Sequence, residues 1–146
     1  MNLTGIRGRL VAGAVLAASA SLALTLPAGA ASAAESTSTV TVADTGTLDA
    51  KGAVAYVPVS LTCGAGYSAS LEVSLTQNVG SGITTGTTPV YRITCDGTAQ
   101  QFVVPITPDV RAFKNGVAYA SAKASICDPM FMCETLVDEG AIQLTK

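Results

Sequence analysis

Apolar and polar residues alternate along much of the chain, with the two-residue period of a strand that has one buried face. The alternation is clear from Val57 to Cys63 and again from Leu71 to Leu75, and no segment after residue 34 shows the stripe of an amphipathic helix. Turn-forming residues such as those from Asp49 to Gly52 separate the alternating runs. The pattern predicts seven strands, at about Thr37–Ala43, Ala53–Cys63, Ala69–Gln77, Thr88–Cys95, Gln100–Thr107, Val117–Cys127 and Glu134–Leu144.

Seven short strands in about 110 residues are typical of an all-β, immunoglobulin-like antiparallel sandwich. The phase of the alternation predicts that Tyr91 shares a buried face with Ile93 and Cys95. It also predicts that the alanines from Ala118 to Ala124 line the core, where they leave room for larger side chains of the opposite sheet.

Two features interrupt the strand pattern. Pro58 and Pro105 fall inside predicted strands, and because proline has no N–H to donate, both strands are expected at sheet edges or at bulges. The Gly- and Thr-rich stretch 79–88 is predicted to be a flexible loop between two strands.

The first 34 residues differ in composition from the rest. Arg7 and Arg9 precede an apolar run of 17 residues, and Ala31-Ser32-Ala33 then supplies the small-x-small pattern of a signal peptidase site. The run is rich in Ala and Ser and short for a membrane span. We therefore expect residues 1–33 to be a signal peptide, cleaved after Ala33, with Ala30 and Ala34 nearly as favourable, and residues 34–146 to be one secreted, extracellular domain without a membrane anchor.

All four cysteines follow the predicted signal peptide, and an even number in an exported chain indicates disulfides. The spacing is not that of a four-cysteine zinc site, and the chain contains no histidine. Cys63 and Cys95 lie on buried phases and can meet in the core. Cys127 is out of phase with the buried residues before it, and Cys133 lies across the following turn. The predicted disulfides are Cys63–Cys95 and Cys127–Cys133.

Charge and residue types argue against several functions. Residues 34–146 carry six basic and ten acidic residues, a net charge of −4, so neither nucleic acid nor an anionic membrane is an expected partner. Without histidine, Ser-His-Asp and Cys-His catalysis are impossible. Most acids fall in predicted turns, and no calcium-loop spacing occurs. We expect no enzyme activity, no cofactor and no metal.

The segment ICDPMFMCE, from Ile126 to Glu134, holds the large apolar residues Met130, Phe131 and Met132 between two half-cystines. Asp-Pro predicts a turn there. The three side chains could form an exposed binding tip, because exposed apolar patches tend to mark interaction sites. Alternatively, Phe131 folds back over the open end of a core that is short of aromatic residues. Since phenylalanine is usually buried, the sequence favours the end-cap.

The runs Val57–Cys63, Leu71–Gln77 and Ala112–Ala122, followed by Cys127 and Cys133, resemble small secreted immunoglobulin-like proteins of actinobacteria to which no function is assigned. This resemblance implies the fold and no activity. More distantly, Leu61-Thr62-Cys63 and Pro129-Met130-Phe131 are similar to a strand and the reactive loop of the Streptomyces subtilisin inhibitors. The short Cys127–Cys133 loop resembles one in the neocarzinostatin-type apoproteins, whose second short-range cysteine pair this chain lacks.

Three functions are compatible with these features. The first is a secreted, non-enzymatic immunoglobulin-like module that binds an extracellular protein or has a structural role. The second is a protease inhibitor that presents Met130 or Phe131 on the 127–133 loop. The third is a carrier of a small apolar ligand, with a cleft floored by Ala118, Ala120 and Ala122.

Overall fold

The computed structural model describes residues 37–49 and 51–146; the predicted signal peptide and its cleavage site after Ala33 lie outside them. The described part is all-β, as expected, and contains no helix. Its eight strands are β1 (Thr39–Val42), β2 (Thr45–Leu48), β3 (Ala55–Thr62), β4 (Ser68–Val79), β5 (Gly82–Thr94), β6 (Ala99–Ile106), β7 (Gly116–Cys127) and β8 (Cys133–Thr145).

The strands form one mixed sheet in the order β1-β3-β2-β8-β7-β4-β5, and β6 pairs with β3. Over its whole length β3 is antiparallel to β6, so β1 and β2 share its other edge. β2 also pairs in parallel with β8, whereas β8, β7, β4 and β5 are successive antiparallel neighbours. The expectation of seven strands, all antiparallel, is therefore wrong in number and in this one parallel pair.

The additional strand is β2, whose sequence Thr-Gly-Thr-Leu has a single large apolar residue, Leu48. Four residues with one large apolar side chain give no detectable alternation. The strand exists because the chain leaves β1 at Val42 and crosses to β8, where the Gln143 amide donates to the Asp44 carbonyl at 2.8 Å. Tertiary pairing, not local propensity, makes this segment a strand.

The core consists of the alternate side chains that the sequence pattern assigns to buried faces. The odd-numbered residues from Val57 to Cys63, those from Leu71 to Leu75, and the alanines from Ala118 to Ala124 are all buried. Phe113, in the connection between β6 and β7, adds a fully buried aromatic ring that strand periodicity could not identify. These positions confirm the predicted inward faces of β3, β4 and β7.

Residues 79–88 are not a loop. β4 turns at Gly80, whose φ is 63°, and β5 begins at Gly82. Thr84 is fully buried, and its hydroxyl donates to the Arg111 carbonyl at 2.7 Å. At Gly86 a Cβ would lie 2.4 Å from the Thr107 carbonyl oxygen. The small residues of this stretch therefore allow β5 to pack closely against the segment after β6. Their composition resembles that of a flexible loop, but they form a strand.

The two prolines have different environments. Pro105 lies on β6, which pairs only with β3 among the described strands, and this confirms the edge expectation. Pro58 lies on β3, which has partners on both edges, so the same expectation is wrong there. Its carbonyl accepts from the Ala43 amide, which lies between β1 and β2. Proline has no N–H with which to return a bond to the Ala43 carbonyl, so the β1–β3 ladder ends at this single hydrogen bond.

A bulge in β5 reverses the expected orientation of one aromatic residue. The β4–β5 register shifts between Ala69, opposite Ile93, and Leu71, opposite Val90. Arg92, at the bulge, has a φ of 60°. The extra residue turns Tyr91 outward, where it is 71% exposed, so the prediction that it shares the buried face of Ile93 is wrong.

Candidate functional site

Both predicted disulfides are present, and one of them closes the candidate site. Cys63–Cys95 is buried and joins the ends of β3 and β5. Cys127–Cys133 joins residues that face each other in the β7–β8 ladder, with their Cα atoms 4.0 Å apart. The five residues between them, Asp128 to Met132, connect β7 to β8 and are called the tip below.

Asp128 orders the backbone of the tip. One carboxylate oxygen accepts hydrogen bonds from the amides of Met130, at 2.8 Å, and Met132, at 2.9 Å. The Asp128 amide donates to the Met132 carbonyl, and the Phe131 amide donates to the Asp128 carbonyl, both at 3.0 Å. The turn that Asp-Pro predicts is thus present, and an aspartate that accepts from amides two and four residues ahead explains it.

The three large apolar side chains of the tip all face solvent. Phe131 is 87% exposed, Met130 84% and Met132 72%. The expectation that Phe131 folds back as an end-cap is therefore wrong. The backbone explains the difference. Phe131 has a φ of 63°, and its amide donates to the Asp128 carbonyl inside the disulfide-closed loop, so its side chain projects away from the sheet.

Acidic groups lie on one side of the tip. A depression of about 300 Å³ lies beside it, lined by Tyr67, Ile126, Asp128, Met132, Cys133 and Glu134. Phe131 and Met130 are therefore apolar groups beside acidic ones. A complementary surface would combine an apolar pocket with a basic rim.

The position expected for a ligand cleft is filled. Ala120 and Ala122 have no exposed surface, and Ala118 is buried as well. An open cleft or an internal cavity wide enough for water would expose part of these side chains. The structure therefore gives the carrier hypothesis no support at the alanines that it requires.

Within residues 37–49 and 51–146, no group of three or more acidic or cysteine side chains is placed to hold a metal ion. In the same part of the chain, no helix is long and apolar enough to cross a membrane. The two disulfides use all four cysteines, so no free thiol is present.

A second surface was missed by the sequence analysis. The outward side chains of β5, β4, β7 and β8 form one face, on which several large apolar residues are exposed: Ile83, Tyr91, Val117, Tyr119 and Val137. Along each strand, polar residues such as serine and threonine occupy most of the other outward positions, so the sequence of no single strand predicts an apolar outer face. Only the cross-strand register, which the sequence does not contain, brings the five residues onto one face.

No protein-family model matches this chain, and no curated protein is significantly similar to it.

Proposed function

We propose that this protein is a secreted, non-enzymatic module with an immunoglobulin-like sandwich fold, and that its tip inserts into an apolar pocket of an extracellular protein. The observation that carries the proposal is the exposure of three consecutive large apolar side chains, Met130 to Met132, on a disulfide-closed turn. The proposed sandwich is supported by contacts between strands that do not pair: β1 packs against β7 and β8, and β6 packs against β4 and β5, although β2 links the two sides by pairing with both β3 and β8.

Leaving three large apolar side chains in water is unfavourable, and a partner that buries them would gain free energy. Burial of one large apolar side chain is worth about 1.5–3 kcal/mol, so three such groups are a substantial source of binding energy. The tip is also ordered before binding, by the disulfide and by the four hydrogen bonds among Asp128, Met130, Phe131 and Met132. Little conformational entropy is therefore lost when a partner encloses it.

The charge near the tip favours a protein over a lipid surface. Apolar loops that enter membranes usually act with neighbouring basic residues, which attract anionic headgroups. Here the neighbours are Asp128 and Glu134, and residues 34–146 have a net charge of −4. An anionic membrane would repel this end of the molecule, whereas a protein pocket with a basic rim would attract it.

The protease-inhibitor alternative has weaker support. Proteases pair with an extended segment through its free amides and carbonyls, as in strand addition. In the tip, the Phe131 amide and the Met132 carbonyl are bonded to Asp128, and Phe131 has a φ of 63°. The segment is a closed turn, and it would have to open before it could bind as a substrate does.

The test begins with a triple variant, Met130→Ser, Phe131→Ser and Met132→Ser. A matched control replaces three exposed apolar residues of the outer sheet face: Ile83→Ser, Val117→Ser and Val137→Ser. Extracellular proteins retained by immobilised wild-type domain are identified, purified and titrated calorimetrically against all three proteins. We expect at least about a 100-fold loss of affinity for the tip variant and less than about 3-fold for the control.

Three results would overturn the proposal. One is that no retained protein distinguishes the tip variant from the wild type. Another is tip-dependent flotation with vesicles, zwitterionic or anionic, without a protein partner, which would identify a membrane-binding loop. The third is stoichiometric inhibition of chymotrypsin or subtilisin that the tip variant loses, which would establish the inhibitor function instead.

A further inference from the structure

A concentration of positive charge lies at the end of the β7–β8 ladder opposite the tip. Residues 37–146 contain six basic residues, and three of them, Lys51, Lys114 and Lys146, line one depression of about 420 Å³. Its other lining residues are Gly52, Ala112, Phe113 and Asn115, and none of them is acidic. The pocket adjoins the start of β7, whereas the tip follows its end. Eleven residue steps separate them, about 36 Å along an extended strand.

The backbone that presents two of these lysines is fixed by buried contacts. The Phe113 amide donates to the Gly52 carbonyl at 2.9 Å, and Phe113 is 2% exposed. Gly52 has a φ of 71°, and a Cβ there would lie 2.0 Å from the Phe113 carbonyl oxygen. The residues next to Lys51 and Lys114 in sequence are thus in direct contact, which holds the two lysines on either side of a common floor.

The side-chain amide of Gln77, which is buried, also fixes the backbone of Lys114. The Gln77 side chain accepts from the Lys114 amide at 2.8 Å and donates to the Lys114 carbonyl at 2.7 Å. Gln77 is one of two buried polar residues among those described. A buried polar side chain therefore fixes the backbone of Lys114, although the lysine side chain itself is exposed.

Among the described residues, no carboxylate side chain neutralises the three lysines of the pocket. Like charges repel, and none of the three lysines forms an ion pair with an acid in the described part of the chain. An anion with two or more charges that binds among them would be attracted to all three ammonium groups. Lysine ammonium groups are strong point-charge partners for phosphate.

We propose that this pocket binds a phosphate or sulfate ester carried on a group of about the size of a sugar. The three ammonium groups would surround the ester, and the remaining volume, larger than a bare oxyanion needs, would hold its carrier. An extended polyanion such as nucleic acid fits poorly, because the rest of the surface is acidic and would repel the neighbouring phosphates. Because it lies far from the tip, the site can be filled while the tip is bound.

The experiment is an NMR titration of the 15N-labelled domain with glucose 6-phosphate, inorganic phosphate, inorganic sulfate and, as the neutral reference, glucose. The amides of Gly52 and Asn115 report on the pocket. We expect saturable shifts at these two amides with glucose 6-phosphate, with a Kd of about 1 mM or below at low salt. Inorganic phosphate and sulfate should bind more weakly at the same amides, and glucose should cause no shift.

The lysines are tested singly as Lys51→Gln, Lys114→Gln and Lys146→Gln, with Lys123→Gln on the outer sheet face as the matched control. All four side chains are exposed, so the variants should fold normally. Each pocket variant should weaken glucose 6-phosphate binding by about 3- to 10-fold, the control should not, and higher salt should weaken it in the wild type.

Equal shifts with glucose, an equal effect of Lys123→Gln, or no saturation up to about 20 mM glucose 6-phosphate would each overturn the proposal. Preference for phosphate over sulfate esters, or the reverse, is decided by titrating glucose 6-sulfate in the same way. The result is independent of the tip, because no tip residue takes part.

Discussion

Gln77 offers the most informative test of how this fold holds its irregular segment. Residues 107–115 connect β6 to β7 outside the sheet, and the Gln77 amide acts there as a substitute for a strand partner. It accepts from the Lys114 amide at 2.8 Å and donates to the Lys114 carbonyl at 2.7 Å, with a longer contact of 3.4 Å to the Val117 carbonyl. Gln77→Leu keeps most of the side-chain volume and removes all three contacts.

The cost follows from the two short hydrogen bonds. Each contributes about 1 kcal/mol net, and a backbone group left without a partner in a partly buried position adds up to about 1 kcal/mol more. We therefore expect Gln77→Leu to lower the free energy of unfolding by about 2–3 kcal/mol. For a domain of this length, at roughly 4 °C per kcal/mol, the Tm should fall by about 8–12 °C.

Urea unfolding followed by far-UV circular dichroism measures this cost, because the chain has no tryptophan to serve as a fluorescence probe. Gln100→Leu is the matched control: its exposed amide donates to the Thr94 carbonyl at 3.0 Å and also interacts with the exposed Asp96 carboxylate, and its loss should cost about 0.5 kcal/mol or less. If Gln77→Leu costs no more than Gln100→Leu, the buried amide does not hold the segment and the reasoning fails.

Gln77→Glu separates the two hydrogen bonds. An ionised carboxylate can accept from the Lys114 amide but faces the Lys114 carbonyl without a proton to donate. The folded state should therefore raise the pKa of the introduced glutamate. A raised pKa means that the stabilisation is present at low pH and is lost as the pH rises, so this variant should approach the wild type only in acid. Equal destabilisation at all pH values would contradict the assignment of donor and acceptor.

The remaining predictions concern the disulfides, one tyrosine and the tip. Replacing both cysteines by alanine should cost about 4 kcal/mol for Cys63–Cys95, with a sequence separation of 32, and about 2 kcal/mol for Cys127–Cys133, with a separation of 6. Equal costs in urea unfolding would contradict this loop-length argument. The pKa of Tyr119 is raised above 10.0, first by desolvation and then by Glu139; its contribution to stability is thus complete at neutral pH and is lost as the pH rises above 10. In spectrophotometric titration Glu139→Gln should lower that pKa part of the way, and an unchanged value would exclude the carboxylate as a cause. At the tip, Asp128→Ala should accelerate hydrogen exchange at the two amides that its carboxylate binds, and Asp128→Asn should preserve most of the protection. Equal exchange in both variants would show that the disulfide alone orders the turn.

Strand periodicity predicted most of the core because burial alternates wherever a strand is regular. It also selected the disulfides, since Cys63 and Cys95 lie on inward phases whereas Cys127 does not. The same reasoning failed at Tyr91, because one additional residue in a bulge inverts the phase for every side chain up to it. A bulge on an edge strand leaves no signature in composition, so the sequence alone could not have located it.

The lysine pocket illustrates a different limit. Lys51, Lys114 and Lys146 are far apart in sequence, and their scattered positions suggested a surface without any basic site. They meet because the Gly52–Phe113 hydrogen bond joins two connections, while the end of β8 lies beside the start of β7. Long-range contacts of this kind depend on topology. Net charge and spacing along the chain cannot reveal them.

The exposure of Phe131 follows from the demands of the tip backbone. Five residues must reverse the chain between two paired cysteines, and the amides of Met130, Phe131 and Met132 all point into the ring, toward Asp128. With the amides directed inward, the side chains are directed outward, and a Phe131 end-cap would require breaking that hydrogen-bonded turn. The usual preference of phenylalanine for burial is worth about 1.5–3 kcal/mol, less than the several hydrogen bonds and the favourable turn together. The hydrogen bonds inside the loop therefore determine that the apolar side chains face solvent. A tip built in this way keeps its apolar surface both exposed and ordered.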